Sequence, residues 1–139
     1  MPDRFVQPPS FYFDECLLGA AKELIRGGFD VLHPGHVSLP NLPLGSPDSV
    51  WMAHIAATGL IAVTRDRRIN RNSAERELIR SAGLKVVWLT GRSDMRPSEQ
   101  AALFRAKVSA IYAPGEDLGD GPWGLGLSAK GRLRVIRLT

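Results

Sequence analysis

Three features of this 139-residue sequence predict an α/β fold, a three-layer sandwich with a central, mostly parallel sheet and a C-terminal β-hairpin. The chain repeatedly runs from a helical pattern through glycine into a short apolar strand. Those strands are continuously apolar rather than alternating, which implies burial on both faces, as in a parallel sheet covered by helices. Near the end, two strand-like stretches flank the turn Ser128-Ala129-Lys130-Gly131.

The first strand is Phe11-Tyr12-Phe13. Leu17, Leu18, Ala21, Leu24 and Ile25 then share one helix face, ahead of Gly27-Gly28 and a strand from Phe29 to His33. Pro34 to Pro47 holds four prolines and two glycines and reads as an irregular loop, long enough in a small domain to be functional or mobile. A helix from Pro47 to Thr58 leads through Gly59 into the strand Leu60 to Thr64. Asn72 is placed as an N-cap, with Glu75 completing a capping-box variant, for a helix to Ala82 that precedes Gly83 and the strand Leu84 to Leu89. Pro97 opens a further helix with Leu103, Phe104, Lys107, Val108 and Ile111 on one side. Ala113 to Pro122, rich in Gly, Pro and Asp, reads as a loop, and Trp123 to Leu127 and Arg132 to Leu138 as the arms of an added hairpin.

The length suits a single domain over residues 1–139, and a domain of that size buries roughly 70% of the surface its unfolded chain exposes. The single cysteine, Cys16, excludes an internal disulfide and is expected to pack as a small buried hydrophobe. No basic stretch followed by an apolar one opens the chain, and no run reaches the ~18 apolar residues of a membrane span. A soluble, cytoplasmic protein with no membrane partner is expected. Net charge is +4, but acid and base are segregated: the chain is net −3 through Val63 and +7 beyond it. Fourteen of the eighteen basic residues are arginine, whose planar fork suits phosphate, although an arginine-rich composition equally follows from a GC-rich genome.

In an open parallel α/β sheet, ligands bind beyond the carboxyl ends of the strands. Asp14 and Glu15 end the first strand, Asp66 follows the strand Leu60 to Thr64, and Asp48 lies in the first turn of the helix leading into that strand. If the first and third strands are neighbours, Asp14 and Asp66 converge. Gathered carboxylates raise one another's pKa unless a cation holds them ionised. Oxygen ligands without a Cys/His pair favour Mg²⁺ or Mn²⁺, which suits phosphodiester hydrolysis. Each acid has a structural alternative: Asp14 as a helix cap, Asp48 as a favourable charge at a helix dipole, Asp66 as the neutraliser of Arg67 and Arg68. His33 and His36 flank Pro34-Gly35 and read as solvated loop residues more readily than as ligands; His54 reads as a packed helix residue.

At Phe13-Asp14-Glu15, Pro47-Asp48-Ser49 and Val63-Thr64-Arg65-Asp66-Arg67-Arg68-Ile69, the chain resembles the PIN-like nucleases, specifically the subgroup found as toxins of VapBC-type toxin–antitoxin pairs. The likeness spans about residues 10 to 138, including Ala74-Glu75-Arg76-Glu77 and the Gly131-Arg132-Leu133 hairpin. It implies a Mg²⁺- or Mn²⁺-dependent endoribonuclease silenced by a cognate antitoxin that is itself DNA-binding, with the chain a possible homo-oligomer. Asp14, Asp48 and Asp66 match the family's acidic, metal-holding positions, with Glu15 an accessory. Many members carry a fourth acid shortly after the position of Asp66; here Arg67, Arg68, Asn70 and Arg71 follow instead. Arg65, Arg67, Arg68 and Arg71 are then candidates for holding the phosphates of an RNA substrate, the alternative being a solvated loop. Competing readings are a non-catalytic RNA-binding or protein-interaction module on the same fold, and a phosphate-accepting signalling domain. The last requires a lysine at the end of a late strand, where Trp88-Leu89-Thr90-Gly91-Arg92 supplies none.

Overall fold

The computed structural model describes residues 10–66, 73–91 and 94–138, the side chains of 113–116 excepted. Strand β1 (Phe11–Phe13) is followed by a 3-10 turn (Glu15–Leu17) and helix α1 (Leu18–Arg26). Helix α2 (Asp48–Thr58) leads into β2 (Ile61–Thr64), α3 (Ser73–Ala82) into β3 (Lys85–Leu89), and α4 (Pro97–Leu118) into β4 (Trp123–Leu127) and β5 (Leu133–Ile136). The strands lie in the order β1-β2-β3-β4-β5. Neighbours are parallel up to β4, and β5 closes the sheet antiparallel.

Side-chain alternation along the strands separates two cores, and this makes three layers. Phe11, Phe13, Val63, Val87 and Leu125 face the 3-10 turn, α1 and α4, where Leu17, Ala21, Leu24, Phe104 and Ile111 cover them. Tyr12, Ala62, Val86 and Trp88 face the other way, onto Trp51, Met52 and Ile55 of α2 and Ile79 of α3. Phe104 is the hub of the first core, edge-on to Phe11 at 4.8 Å, Phe13 at 4.9 Å and Phe29 at 5.9 Å between ring centroids. No described helix is long and apolar enough to cross a membrane.

Two expectations are corrected. The segment Phe29 to His33 makes a single bridge, Tyr12 to Leu32, instead of a strand. The Phe29 N–H turns back to the Leu24 carbonyl, and Pro34, with no N–H to give, ends the pairing after two hydrogen bonds to β1. The loop placed at Ala113 to Pro122 is helical as far as Leu118, because Leu118 packs against the α1/α4 core and that burial outweighs the poor local propensity of Pro114 and Gly115. The C-terminal hairpin forms as expected from β4 and β5, and it joins the sheet through β4, which pairs with β3 along its whole length, Lys85 with Trp123 through Leu89 with Leu127. Its second arm is shorter than expected, and Leu138 folds onto the α2/α3 core. The long loop Pro34 to Pro47 is irregular, as expected, yet anchored by buried Leu39 and Leu42. The expected N-cap Asn72 lies outside the described residues.

Candidate active site

Parallel pairing of β1 with β2 places Phe13 opposite Val63, so the chain delivers Asp14 and Thr64 side by side at the carboxyl edge of the sheet. The Asp14 N–H donates to the Val63 carbonyl at 2.9 Å, extending the ladder by one bond. Asp14 is 8% exposed and Thr64 is fully buried. Asp14 caps the 3-10 turn, its Oδ1 accepting the Glu15 N–H at 2.6 Å, while its Oδ2 accepts the Thr64 hydroxyl at 2.9 Å. Having given its proton to Asp14, the Thr64 oxygen accepts the Asp66 N–H at 3.0 Å. One buried hydroxyl thus ties the Asp14 carboxylate to the backbone at Asp66.

Asp48 sits in the first turn of α2, but it does not cap the helix, which starts at Pro47 without a side-chain cap. Its Oδ1 accepts the Trp51 indole N–H at 2.9 Å, and the Trp51 ring packs on Tyr12 at 5.5 Å. Glu15 is exposed and accepts the Gly45 N–H at 2.6 Å, which fastens the 34–47 loop to this edge. Gly45 adopts a φ of +83°, a conformation that a side chain would strain.

The electrostatics show how near these groups stand. Burial raises the pKa of the Asp14 carboxyl, the Thr64, Glu15 and Cys16 hydrogen bonds lower it, and the charge of Asp48 raises it again. The Tyr12 phenol is pushed well up, first by burial and then by the charges of Asp14, Glu15 and Asp48 together. Three carboxylates therefore act on a single buried hydroxyl.

Cys16, expected to be buried, belongs to an exposed residue whose sulfur lies 3.5 Å from both Asp14 Oδ2 and Thr64 Oγ1. Burial of the sulfur and the charge of Asp14 push its thiol up, so it stays protonated rather than serving as a thiolate. His33 and His36 stack edge-on at 5.1 Å; His33 Nδ1 lies 2.9 Å from the Pro34 carbonyl, and His36 Nδ1 accepts the Ser38 N–H at 2.9 Å. Both serve the turns of the loop.

Asp14, Glu15 and Asp48 are brought within electrostatic reach of one another, and Asp66 is linked to Asp14 through Thr64. Among the described residues, no three His, Cys, Asp or Glu side chains are assembled closely enough to hold a metal ion. The donor chemistry nevertheless fits a hard divalent cation: the acids are carboxylates of like charge, the buried one has a raised pKa, and Asp14 Oδ1 keeps a lone pair beyond the Glu15 N–H. Arg65 is half-buried at the end of β2; Arg67, Arg68, Asn70 and Arg71 lie outside the described residues. Sequence reasoning missed Thr64 and the Tyr12–Trp51 pair. The signal for Thr64 was a hydroxyl at the end of an otherwise apolar strand, two residues before an acid, where side-chain to backbone bonding is common.

A family model described as a PIN-like domain matches residues 9–91, more than half of the chain. The match takes in β1 to β3 and with them Asp14, Asp48, Thr64 and Asp66. No curated protein and no solved structure matches the chain significantly.

Proposed function

Because the chain belongs to the PIN-like domain family, whose members are generally nucleases, we propose that it is a Mg²⁺- or Mn²⁺-dependent endoribonuclease and the toxin of a toxin–antitoxin pair. One observation carries the reading: the charges of Asp14, Glu15 and Asp48 converge on Tyr12 while the Thr64 hydroxyl joins Asp14 to Asp66.

Asp14, Asp48 and Asp66 are the residues that would hold the ion, with Glu15 as accessory. When bound, such an ion supplies a Lewis acid for the phosphoryl oxygen and positive charge against the leaving oxygen. The chain's own contribution is placement. Two hydrogen bonds keep Asp14 from rotating, and the Trp51 indole does the same for Asp48. Carboxylates fixed in advance need no reorganisation when the substrate arrives. Arg65 at the end of β2, with Arg67, Arg68 and Arg71, would draw in the flanking phosphates of a single-stranded RNA. A cytoplasmic ribonuclease of this kind requires silencing, and a cognate antitoxin, itself DNA-binding, would meet an acidic edge that accepts a basic side chain in place of the cation.

Expression tests the reading. The chain alone is expected to arrest growth in a manner that needs Asp14 and Asp66, and coexpression of a small DNA-binding protein encoded beside it is expected to relieve the arrest. Harmless expression of a chain that cuts RNA when purified would remove the toxin assignment and leave the endoribonuclease. RNA bound but left intact in Mg²⁺ would instead make the chain a non-catalytic RNA-binding module.

A further inference from the structure

A second feature lies on the same carboxyl edge, at the ends of β3 and β4. There an open groove of about 530 Å³ is lined by Thr90, Ser128, Lys130, Arg132, Leu133 and Arg134, and among the described residues no acid takes part in it. Its walls are held by close backbone packing. A Cβ on Gly91 would stand 2.9 Å from that of Ala129, so the segment after β3 presses directly on the hairpin turn. At the floor, Gly126 lets the β5 side chains close onto β4, Ile136 Cδ1 at 2.9 Å and Cγ of its cross-strand partner Arg134 at 3.6 Å from where a Cβ would be.

Lys130, Arg132 and Arg134 are exposed, and among the described residues none is engaged in an ion pair. Lys107 of α4 does not line the groove but approaches the same turn, its Nζ 3.2 Å from the position a Cβ would take on Gly131. Cations concentrated without acids repel one another, so their placement in a groove matches a polyanion. From β1 to β4 is three strand spacings, roughly 14 Å, a distance that a few nucleotides span.

We propose that this groove is a backbone-binding track for single-stranded RNA, in which Lys130, Arg132 and Arg134 hold phosphates of the strand whose scissile bond lies at Asp14, Asp48 and Asp66. The inference rests on the endoribonuclease reading for the identity of the polyanion. The Thr90 and Ser128 hydroxyls are additional phosphate donors, and the carbon surface of Ala129 and Leu133 offers a face for a base.

The test is the binding of a fluorescein-labelled single-stranded RNA to the full chain in chelator, followed by anisotropy across a salt series. Replacing Lys130, Arg132 and Arg134 together by alanine is expected to weaken binding and to flatten the slope of log affinity against log salt by about 2, roughly 0.7 for each phosphate of a single strand that is no longer neutralised. The single variant Arg132→Gln, at an exposed position, is expected to change the slope by about 0.7 and stands in if the triple variant fails to fold. An unchanged slope in a folded variant, or no RNA binding by the wild type, overturns the proposal. Cleavage is scored separately in Mg²⁺. RNA cut by a chain whose triple variant keeps the wild-type slope removes the groove alone. A flattened slope with no cleavage keeps the groove and removes the nuclease.

Discussion

Asp14→Asn is expected to lower RNA cleavage by about three orders of magnitude, the equivalent of roughly 4 kcal/mol of lost transition-state stabilisation, while the protein stays folded. The asparagine keeps the shape of the side chain, and its Oδ1 can still accept the Glu15 N–H. What disappears is a negative charge on a buried residue beside Asp48. Folding raises the pKa of Asp14, so the folded state holds the proton more tightly than the unfolded state. The group's favourable contribution is complete below its unfolded pKa and is lost as pH rises through the folded value. In chelator at neutral pH the variant is therefore expected to melt at the wild-type temperature or above it, and to lose the wild type's gain in stability on acidification. Differential scanning calorimetry against pH checks both statements; a markedly lower melting temperature would make Asp14 a structural cap. Thr64→Val should follow the same direction less steeply, by about 10- to 100-fold in activity, since it frees Asp14 and Asp66 without removing either acid.

Phe104→Ala is expected to have the largest effect on stability. The ring is fully buried and edge-on to Phe11, Phe13 and Phe29, so its removal opens a cavity beneath β1 and between α1 and α4. Large-to-small changes of this kind cost about 3–5 kcal/mol, which for a domain of this size lowers Tm by on the order of 10 °C. Because β1 delivers Asp14, the variant should also lose activity at temperatures well below its midpoint. Urea denaturation followed by tryptophan fluorescence measures the effect, and a loss under about 1 kcal/mol would show that Phe104 is not the hub of this core.

The parallel sheet was legible because residues 61–63 and 86–89 are apolar at successive positions, a pattern that requires cover on both faces. The helices were legible from their spacing and from the glycines that follow them. What escaped was set by tertiary packing. The stretch Phe29 to His33 has strand-like residues, but its partner β1 is only three residues long. Pro114 and Gly115 suggested a loop until Leu118 found a core to enter. At the site, Asp14 and Asp66 could be placed from the strand ends and Asp48 from the start of its helix. Thr64 could not, since a hydroxyl closing an apolar strand gains its meaning only when β1 brings Asp14 against it. The groove at the hairpin was hidden for the same reason: nothing in Ser128 to Arg134 says that Thr90 and Gly91 lie beside it until β4 is paired with β3.

The most direct measurement is made on one preparation of the wild-type chain, incubated with a 5′-labelled single-stranded RNA first in Mn²⁺, then in excess chelator, then with Mn²⁺ restored beyond the chelator, with Asp14→Asn purified and treated in parallel. The account predicts internal cuts in the first and third conditions, none in the second, and none from the variant in any. Cleavage that persists in chelator, or that the variant matches in Mn²⁺, would contradict a metal-dependent centre built on Asp14.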